Sequence, residues 1–367
     1  MINIDFIEGK AKIKVGDGVF FNPRMKQLRD ISIAFLRSLE LEKPSLLDST
    51  SATGIRGIRY AKEAGISRIT SLDVNGKAAA IAKKNLKANK VKATTLNMDL
   101  QDFAISSEEK FDVIDLDPFG SPAPYIYDLL KVSKDGTILM ITATDTAVLC
   151  GAHSSACVKQ YGSLPLHNEL CKEVGLRILI SYVIRKAGEF NFGVRVLLSI
   201  SDMHYMRIFI KLEKGAEKAY ESMMQTGFGS YCPTCSSFDY ATGITPRLAE
   251  SCKNCRGKMK QFGPLFLNKL NDKSILKKML EAGVGDAQAE RTVRTLYEEL
   301  DIPFFYSLPR TTRIIGISSV PYEAVSEKLK SKGYACTHTL FDKNAIKTDA
   351  PANKVIAAVK AAKARQQ

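Results

Sequence analysis

The sequence predicts an α/β fold: a doubly wound, mostly parallel sheet, followed by a cysteine-rich ribbon and a smaller α/β unit at the C-terminal end. Three observations predict it. Short apolar runs alternate with helical stretches through the first part of the chain. Asp48, Asp73, Asp99 and Asp117 close four successive runs, and in an open sheet of this kind ligands collect at the carboxyl ends of the strands. Outside that alternation, Cys232, Cys235, Cys252 and Cys255 form two Cys-x-x-Cys pairs.

Composition narrows the class. At 367 residues the chain is long enough for two or three domains, and 45% hydrophobic content supports a sizeable core. Lys and Arg number 53 against 39 acids, a net charge of +14, which favours a polyanionic partner, nucleic acid before a membrane surface. The sequence has no apolar run of about 18 residues, so no membrane span is expected. Met1 to Asp5 lacks the basic and apolar pattern of a secretory signal. Cys150, Cys157, Cys171 and Cys336 are scattered, as in a reducing compartment, and a cytoplasmic protein is expected.

Taken in order, residues 1–19 alternate polar and apolar, with Gly16-Asp17-Gly18 as a turn signal, and read as a β-hairpin. Phe20 and Phe21 follow. If extended, at most one faces a core, leaving the other to stack on a ligand ring or to pack elsewhere. A helix is expected from Met25 to Leu41, with Arg29 near its start. A short strand ends at Asp48, a loop of small residues carries Gly54 and Gly57, and a helix runs to Ala64. The loop lacks both the G-x-G-x-x-G spacing and the Lys-Ser/Thr of a phosphate loop, so it suits a ligand without phosphate. The second strand, Arg68 to Asp73, ends in an acid able to hold both ribose hydroxyls of an adenosine. After a Lys- and Ala-rich helix, Lys77 to Asn89, the third strand ends at Asp99-Leu100. There an acid can meet an adenine amine while an apolar side chain packs on the ring. The run Phe111 to Ile114 leads into Asp115-Leu116-Asp117-Pro118-Phe119-Gly120-Ser121-Pro122, and Gly136 to Thr144 continues the sheet. Arg177 to Tyr182 and Arg207 to Lys211 read as an antiparallel hairpin completing it. Thr142 to Ala147 and Cys150 to His153 read as loops near the same edge.

These residues suit S-adenosylmethionine, which carries an adenosine and an amino-acid tail but no phosphate. At the lip, Asp117 and the Pro118 carbonyl can each accept an N–H from an exocyclic base amine, making its nitrogen more nucleophilic. Phe119 can stack on the base, and Asp117 can take the released proton. The four cysteines, spaced Cys-x2-Cys-x16-Cys-x2-Cys, match a Zn2+ ribbon. A segment of roughly 30 residues has little core without a metal. Beyond Gln261 the chain is helical and basic: Asp272 to Leu280, Gly285 to Leu300, Tyr322 to Lys332 and a tail helix from Lys354 to Arg365, with a strand over Tyr334 to Phe341. Phe304-Phe305-Tyr306 and Arg310 and Arg313 are candidates for base stacking and phosphate contact. The expected division is 1–228, 229–260 and 261–367.

The fuller motifs resemble one family. Val19 to Met25, Ser51 to Tyr60, Asp115 to Pro122, Thr142 to Ala147, Cys150 to His153 and His204-Tyr205 together resemble the tRNA guanine-N2 dimethyltransferases, and the length resembles the archaeal, single-chain form. Asp117-Pro118-Phe119-Gly120 departs from the acid-Pro-Pro-aromatic signature of amino methyltransferases, with Phe119 in place of the second proline. The resemblance implies a Rossmann-like class I methyltransferase sheet, a zinc-ribbon-like element and a C-terminal tRNA-binding domain. It implies methylation, usually twice, of N2 of guanosine 26 in tRNA, with no DNA substrate and no obligate protein partner. Carried over residue by residue, it gives Arg29, Arg56, Asp73, Asp99 and Leu100 to the donor, and Asp117 and Pro118 to catalysis. Phe20 and Phe119 hold the base, and Cys232, Cys235, Cys252 and Cys255 hold the metal. Arg59 competes with Arg56 for the carboxylate of the donor. Two other readings fit parts of the pattern: an adenine amino methyltransferase on RNA or DNA, and a non-catalytic zinc-containing RNA-binding protein.

Overall fold

The structure, a computed structural model, describes residues 4–364; Met1 to Asn3 and Arg365, the expected end of the tail helix, lie outside the described residues. The chain opens with an antiparallel hairpin, β1 (Ile4–Glu8) and β2 (Ala11–Val15). Its turn falls at Gly9-Lys10 rather than at Gly16-Asp17-Gly18, which instead redirects the chain after β2. Then α1 (Lys26–Ser38) leads to β3 (Ser45–Asp48), α2 (Ile55–Ala64), β4 (Arg68–Leu72), α3 (Gly76–Ala88), β5 (Ala93–Leu96), α4 (Leu100–Ser106) and β6 (Phe111–Leu116). After α5 (Ile126–Lys131) and β7 (Ser133–Ala143) come α6 (Thr146–Leu149), α7 (Ser154–Tyr161) and the long α8 (Cys171–Gly188). A hairpin of β8 (Phe192–Ser201) and β9 (Met206–Lys214) closes the sheet, and α9 (Ala216–Met224) follows.

The seven-stranded sheet runs β5-β4-β3-β6-β7-β9-β8. Its first five strands are parallel and β9 is antiparallel to both neighbours. The chain winds outward from β3 to β5, then returns to β6, so the winding reverses between β3 and β6. That is where a doubly wound sheet opens a crevice at its carboxyl edge. The central strands are buried on both faces, as their unbroken apolar runs require. Leu47, Ile114 and Ile141 join one core and Leu46, Val113 and Met140 the other.

The run Arg177 to Tyr182, expected as a strand, lies inside α8. Its side chains are buried nearly all round because α8 is packed between the sheet and the cysteine-bearing segment, and a helix hidden on every side loses the polar stripe that marks its period. The true partner of β9 is β8, whose Gly193 and Arg195 interrupt the strand pattern.

The cysteines sit in a three-stranded antiparallel sheet, β11-β10-β12, made of β10 (Thr226–Tyr231), β11 (Phe238–Thr242) and β12 (Lys260–Phe266). Then α10 (Lys273–Ala282) and α11 (Ala287–Glu298) turn back and pack on α1, where Leu276, Met279 and Val293 share a core with Ile31 and Phe35. Packing is therefore continuous across the expected 260/261 division. The last unit has β13 (Tyr306–Ser307), α12 (Leu308–Ile315), α13 (Tyr322–Lys330), β14 (Cys336–Thr337), β15 (Ala345–Thr348) and α14 (Ala352–Ala364), with sheet order β13-β15-β14. The strand expected over Tyr334 to Phe341 shrinks to β14. Phe304, Phe305 and Tyr306, expected as base-stacking candidates, are buried, and Phe304 and Phe305 pack in the core beneath α8. Among the described residues no helix is long and apolar enough to cross a membrane.

Candidate active site

The crevice at the carboxyl ends of β3 to β6 is a cleft of about 560 Å³. Its size suits a nucleoside-sized ligand. Phe20, Arg29, Arg56, Asp73, Asp99, Leu100, Asp117, Pro118 and Phe119 all line it. The loop after β3 forms one wall. Gly54 ends it at φ +75°, a left-handed conformation, and a Cβ there would meet Ala82 of α3 at 3.3 Å. Glycine thus lets the loop turn into α2 while α2 and α3 stay close. Among the described residues the buried hydroxyls of Ser51 and Thr53 in this loop have no hydrogen-bond partner.

Asp73 accepts from the backbone N–H of Ala52 and of Asn75, both at 2.8 Å. The two bonds fix the carboxylate and leave lone pairs for a ligand. Asp99 caps α4, accepting from Gln101 N–H at 2.7 Å, and Leu100 is 3% exposed beside it. Orphan hydroxyls, an oriented acid at each of two adjacent strand ends and no phosphate cradle fit S-adenosylmethionine.

The lip rests on a buried charged floor. Asp117 Oδ2 accepts from Arg56 Nη2, and the Asp117 N–H donates to Thr50 Oγ1 at 3.0 Å. Beneath them Asp115, fully buried, accepts from Tyr60 Oη at 2.7 Å and Arg207 Nη2 at 2.8 Å, with Arg56 Nε at 3.9 Å. Burial pushes the Asp115 carboxyl up, but Arg207 and Arg56 outweigh it and hold it below the usual carboxylate range. Asp48 is also buried, and among the described residues no such cation is bonded to it. Burial, with the charge of Asp115, raises its pKa to about 7. The loop beyond the lip is tied to the end of β7: Gly120 N–H donates to Thr144 Oγ1 at 2.7 Å, and Thr144 N–H to Gly120 O at 2.9 Å. Ser121 Oγ and Tyr161 Oη are 2.7 Å apart, and Tyr161 Oη donates to Asp145 Oδ2 at 2.9 Å.

Phe20 and Phe119 flank the mouth, ring centroids 4.8 Å apart and edge to face. At 54% and 78% exposed they are far more open than core rings. Phe21 turns inward onto Phe6, so the adjacent pair divides as extended geometry demands. Of the two competing arginines of α2, Arg56 lines the cleft. Arg59 points away into ion pairs with Glu8, Asp30 and Glu63. Arg29 lines the cleft while bonded through two nitrogens to Glu8, at 2.7 and 2.5 Å. Tyr60, Asp115 and Arg207 were not among the expected site residues. A lone Tyr, Asp or Arg within an apolar run is the one sign they leave in sequence.

The four cysteine sulfurs lie within 4.8 Å of one another. Both Cys-x-x-Cys turns are alike: Ser236 and Arg256, each just past the second cysteine, have φ of +57° and +64°. Their N–H groups donate to Cys232 O and Cys252 O, both at 2.9 Å. Two equivalent turns thus present paired thiols to a common centre. Tetrahedral zinc with Zn–S near 2.3 Å places sulfurs roughly 3.8 Å apart, and the cluster fits that ion. The sheet carrying it is braced by Tyr231 Oη to Glu169 (2.6 Å) and Arg310 to Pro233 O (2.7 Å).

Comparison with known proteins bears on what this cleft does. The profile of the N2,N2-dimethylguanosine tRNA methyltransferases matches residues 3–360. A tRNA (guanine(26)-N(2))-dimethyltransferase of Pyrococcus abyssi is 36% identical over 95% of this chain and 96% of its own length. The one of Archaeoglobus fulgidus is 36% identical over the same shares. Trm1 from Pyrococcus horikoshii, solved in complex with S-adenosyl-L-methionine, superposes with a TM-score of 0.89 at 33% identity. The match covers 97% of this chain and 99% of that one.

Proposed function

The chain belongs to the N2,N2-dimethylguanosine tRNA methyltransferase family, and from that premise we propose that it methylates N2 of guanosine 26 in tRNA, giving N2,N2-dimethylguanosine. The observation that carries the residue roles is that nine residues singled out along the sequence line one cleft at the switch point of the sheet.

S-adenosyl-L-methionine supplies an electrophilic methyl group. Asp73 takes the ribose hydroxyls, Asp99 the adenine amine and Leu100 the ring face. Arg29 and Arg56 face the carboxylate end, where a planar guanidinium pairs through two bonds. The guanine enters between Phe20 and Phe119, which must part to admit it, so the nucleotide has to be extruded from the folded RNA. Stacking on such rings is worth about 1–3 kcal/mol per base. Asp117 accepts one N–H of the amine and the Pro118 carbonyl the other, and Asp117 takes up the proton as the new N–C bond forms. Rigidity of the Pro118 turn fixes where its carbonyl points. Because Arg56 is bonded to Asp117, the donor end and the acceptor end of the cleft share one side chain.

Residues 1–228 hold this chemistry, and 229–260 hold a structural Zn2+ on Cys232, Cys235, Cys252 and Cys255. Residues 261–367 supply tRNA contacts, with α10 and α11 also bracing α1. The scattered free thiols favour a cytoplasmic setting. The test is incubation with labelled donor and unmodified tRNA transcript, followed by nucleoside analysis. Asp117→Ala should lower turnover by about 10²–10⁴-fold while donor binding persists. Near-normal turnover would remove Asp117 from its role, and methylated adenine without methylated guanine would overturn the assignment.

A further inference from the structure

The cleft has a lysine-lined flank formed by β2 and α3. From Val74 to Met98 the sequence contains no acid and six lysines. Lys12 and Lys14 of β2 and Lys83, Lys84, Lys87 and Lys90 on or just beyond α3 are all exposed. Among the described residues none of the six has a carboxylate within ion-pairing distance. Nearby acids are few: Asp5 lies across the hairpin from Lys14, and Asp17 follows β2.

The two elements form one rigid surface. Asn89 and Asn85 of α3 bond the backbone of β2 as a neighbouring strand would. Lys12 N–H donates to Asn89 Oδ1 at 3.0 Å and Lys14 N–H to Asn85 Oδ1 at 2.9 Å. The amide groups return bonds to Lys12 O and Lys14 O at 2.6 and 2.9 Å. The edge of the hairpin is thereby closed to further strands, and its outer side chains are held beside the helix. The surface is also continuous with the cleft. Gly18 and Asn75 line the cleft and bond each other, and Lys77 reaches within about 4 Å of the space beside Gly18. From there the 13 residues of α3 run outward, roughly 20 Å at 1.5 Å per residue.

A run of unneutralised cations of that length, starting at the mouth where a base must enter, has the form of a track for a phosphodiester backbone. We propose that the β2–α3 lysine face binds the RNA backbone next to the flipped guanosine, so that the tRNA is gripped on this flank as well as by the C-terminal unit. The inference rests on the tRNA methyltransferase reading. It assigns a position for the RNA, whereas that reading assigns the reaction.

Two variants test it in the full-length protein. K12T/K14T/K83Q/K84Q/K87Q removes charge while keeping strand and helix propensity. K186Q/K218Q, on α8 and on α9 near the far edge of the sheet, controls for a general loss of charge. Affinity for unmodified tRNA transcript is measured over a salt series, with S-adenosylmethionine affinity and methylation kinetics alongside. The five-fold variant should lose at least tenfold in tRNA affinity, and its salt slope should fall by about one for each lysine that meets a phosphate. KM for tRNA should rise while kcat at saturating tRNA and donor affinity hold. The control should stay within twofold of the parent. If the five-fold variant keeps its affinity and salt slope, or if the control loses as much, the surface is not the track. A parent protein that binds donor but methylates no tRNA would instead sink the assigned reaction.

Discussion

Asp48 and Asp115 occupy neighbouring strands with the same backbone register, yet their environments separate them. Asp115 is surrounded by Arg207, Arg56 and Tyr60, whereas among the described residues Asp48 has no arginine within ion-pairing distance and faces the charge of Asp115 instead. With its folded pKa raised to about 7 from 3.8, Asp48 binds its proton more tightly in the folded than in the unfolded chain. Its contribution to stability is therefore full below pH 4 or so and is lost as pH rises through about 7, at roughly 1.4 kcal/mol per unit. Asp115, depressed, works in the opposite sense at lower pH. Asp48→Asn, which mimics the protonated acid, should become more stable relative to the parent as pH rises from 5 to 8. Urea unfolding at several pH values would show this, and a constant difference would mean Asp48 is already ionised at the low end. Sequence placed Asp48 at a strand end. It gave no means of telling it from Asp115, because the difference lies in Arg207, which comes from a strand far along the chain.

Elements were legible where a local rule constrained them. The β3–α2 unit shows this. Small residues and Gly54 marked a tight turn into a helix, and the structure puts Gly54 at φ +75° against Ala82. Gly54→Ala should cost about 1–2 kcal/mol for the left-handed backbone and more for the crowding of α3. It should also weaken donor binding, because the loop is one wall of the cleft. Thermal unfolding and calorimetry with S-adenosylmethionine measure the two effects, and an unchanged melting temperature would contradict the conformational argument. α8 is the counterexample. Arg177 to Tyr182 satisfied a strand pattern, and its helical state was decided by the surfaces that enclose it. Arg177 itself bonds Glu173 at 2.9 Å and the carbonyls of Phe266 and Asn268, both at 3.0 Å. Those partners come partly from the segment beyond the cysteines.

Across the whole molecule, α8 is where the parts meet. Fully buried Glu173 on this helix pairs with Arg177 at 2.8 Å and with Lys347 of the last unit at 3.5 Å, and Lys347 pairs with Glu299 at 2.7 Å. Breaking one member of such a buried set leaves an uncompensated charge. The cysteine sheet lies against the same region through Tyr231, Phe262 and Phe266. Loss of a zinc held by the four cysteines should therefore be felt beyond the sheet itself. Strong chelation, or Cys232→Ser with Cys235→Ser, should release about one equivalent of zinc. The same treatment should lower the melting temperature of the entire chain rather than of a small separate transition. A metal assay with differential scanning calorimetry tests this; an unaltered single transition after zinc removal would show the sheet stable without metal.

Sequence alone determined the strand-end acids, the small-residue loop, the lip Asp117-Pro118-Phe119 and the paired cysteines. Each is a short-range pattern whose spacing is fixed by backbone geometry or by the ligand it must hold. Tertiary structure decided the rest. It chose Arg56 over Arg59 for the cleft, because one turn of helix separates a side chain facing the crevice from one facing Glu8, Asp30 and Glu63. It built the floor beneath the lip from Tyr60 of α2, Asp115 of β6 and Arg207 of β9, brought together by strand order and by the packing of α2 on the sheet. It also turned Phe20 toward Phe119 and Phe21 toward Phe6. In each case at least one deciding partner lies far away in the chain, where no local period or spacing carries its signal.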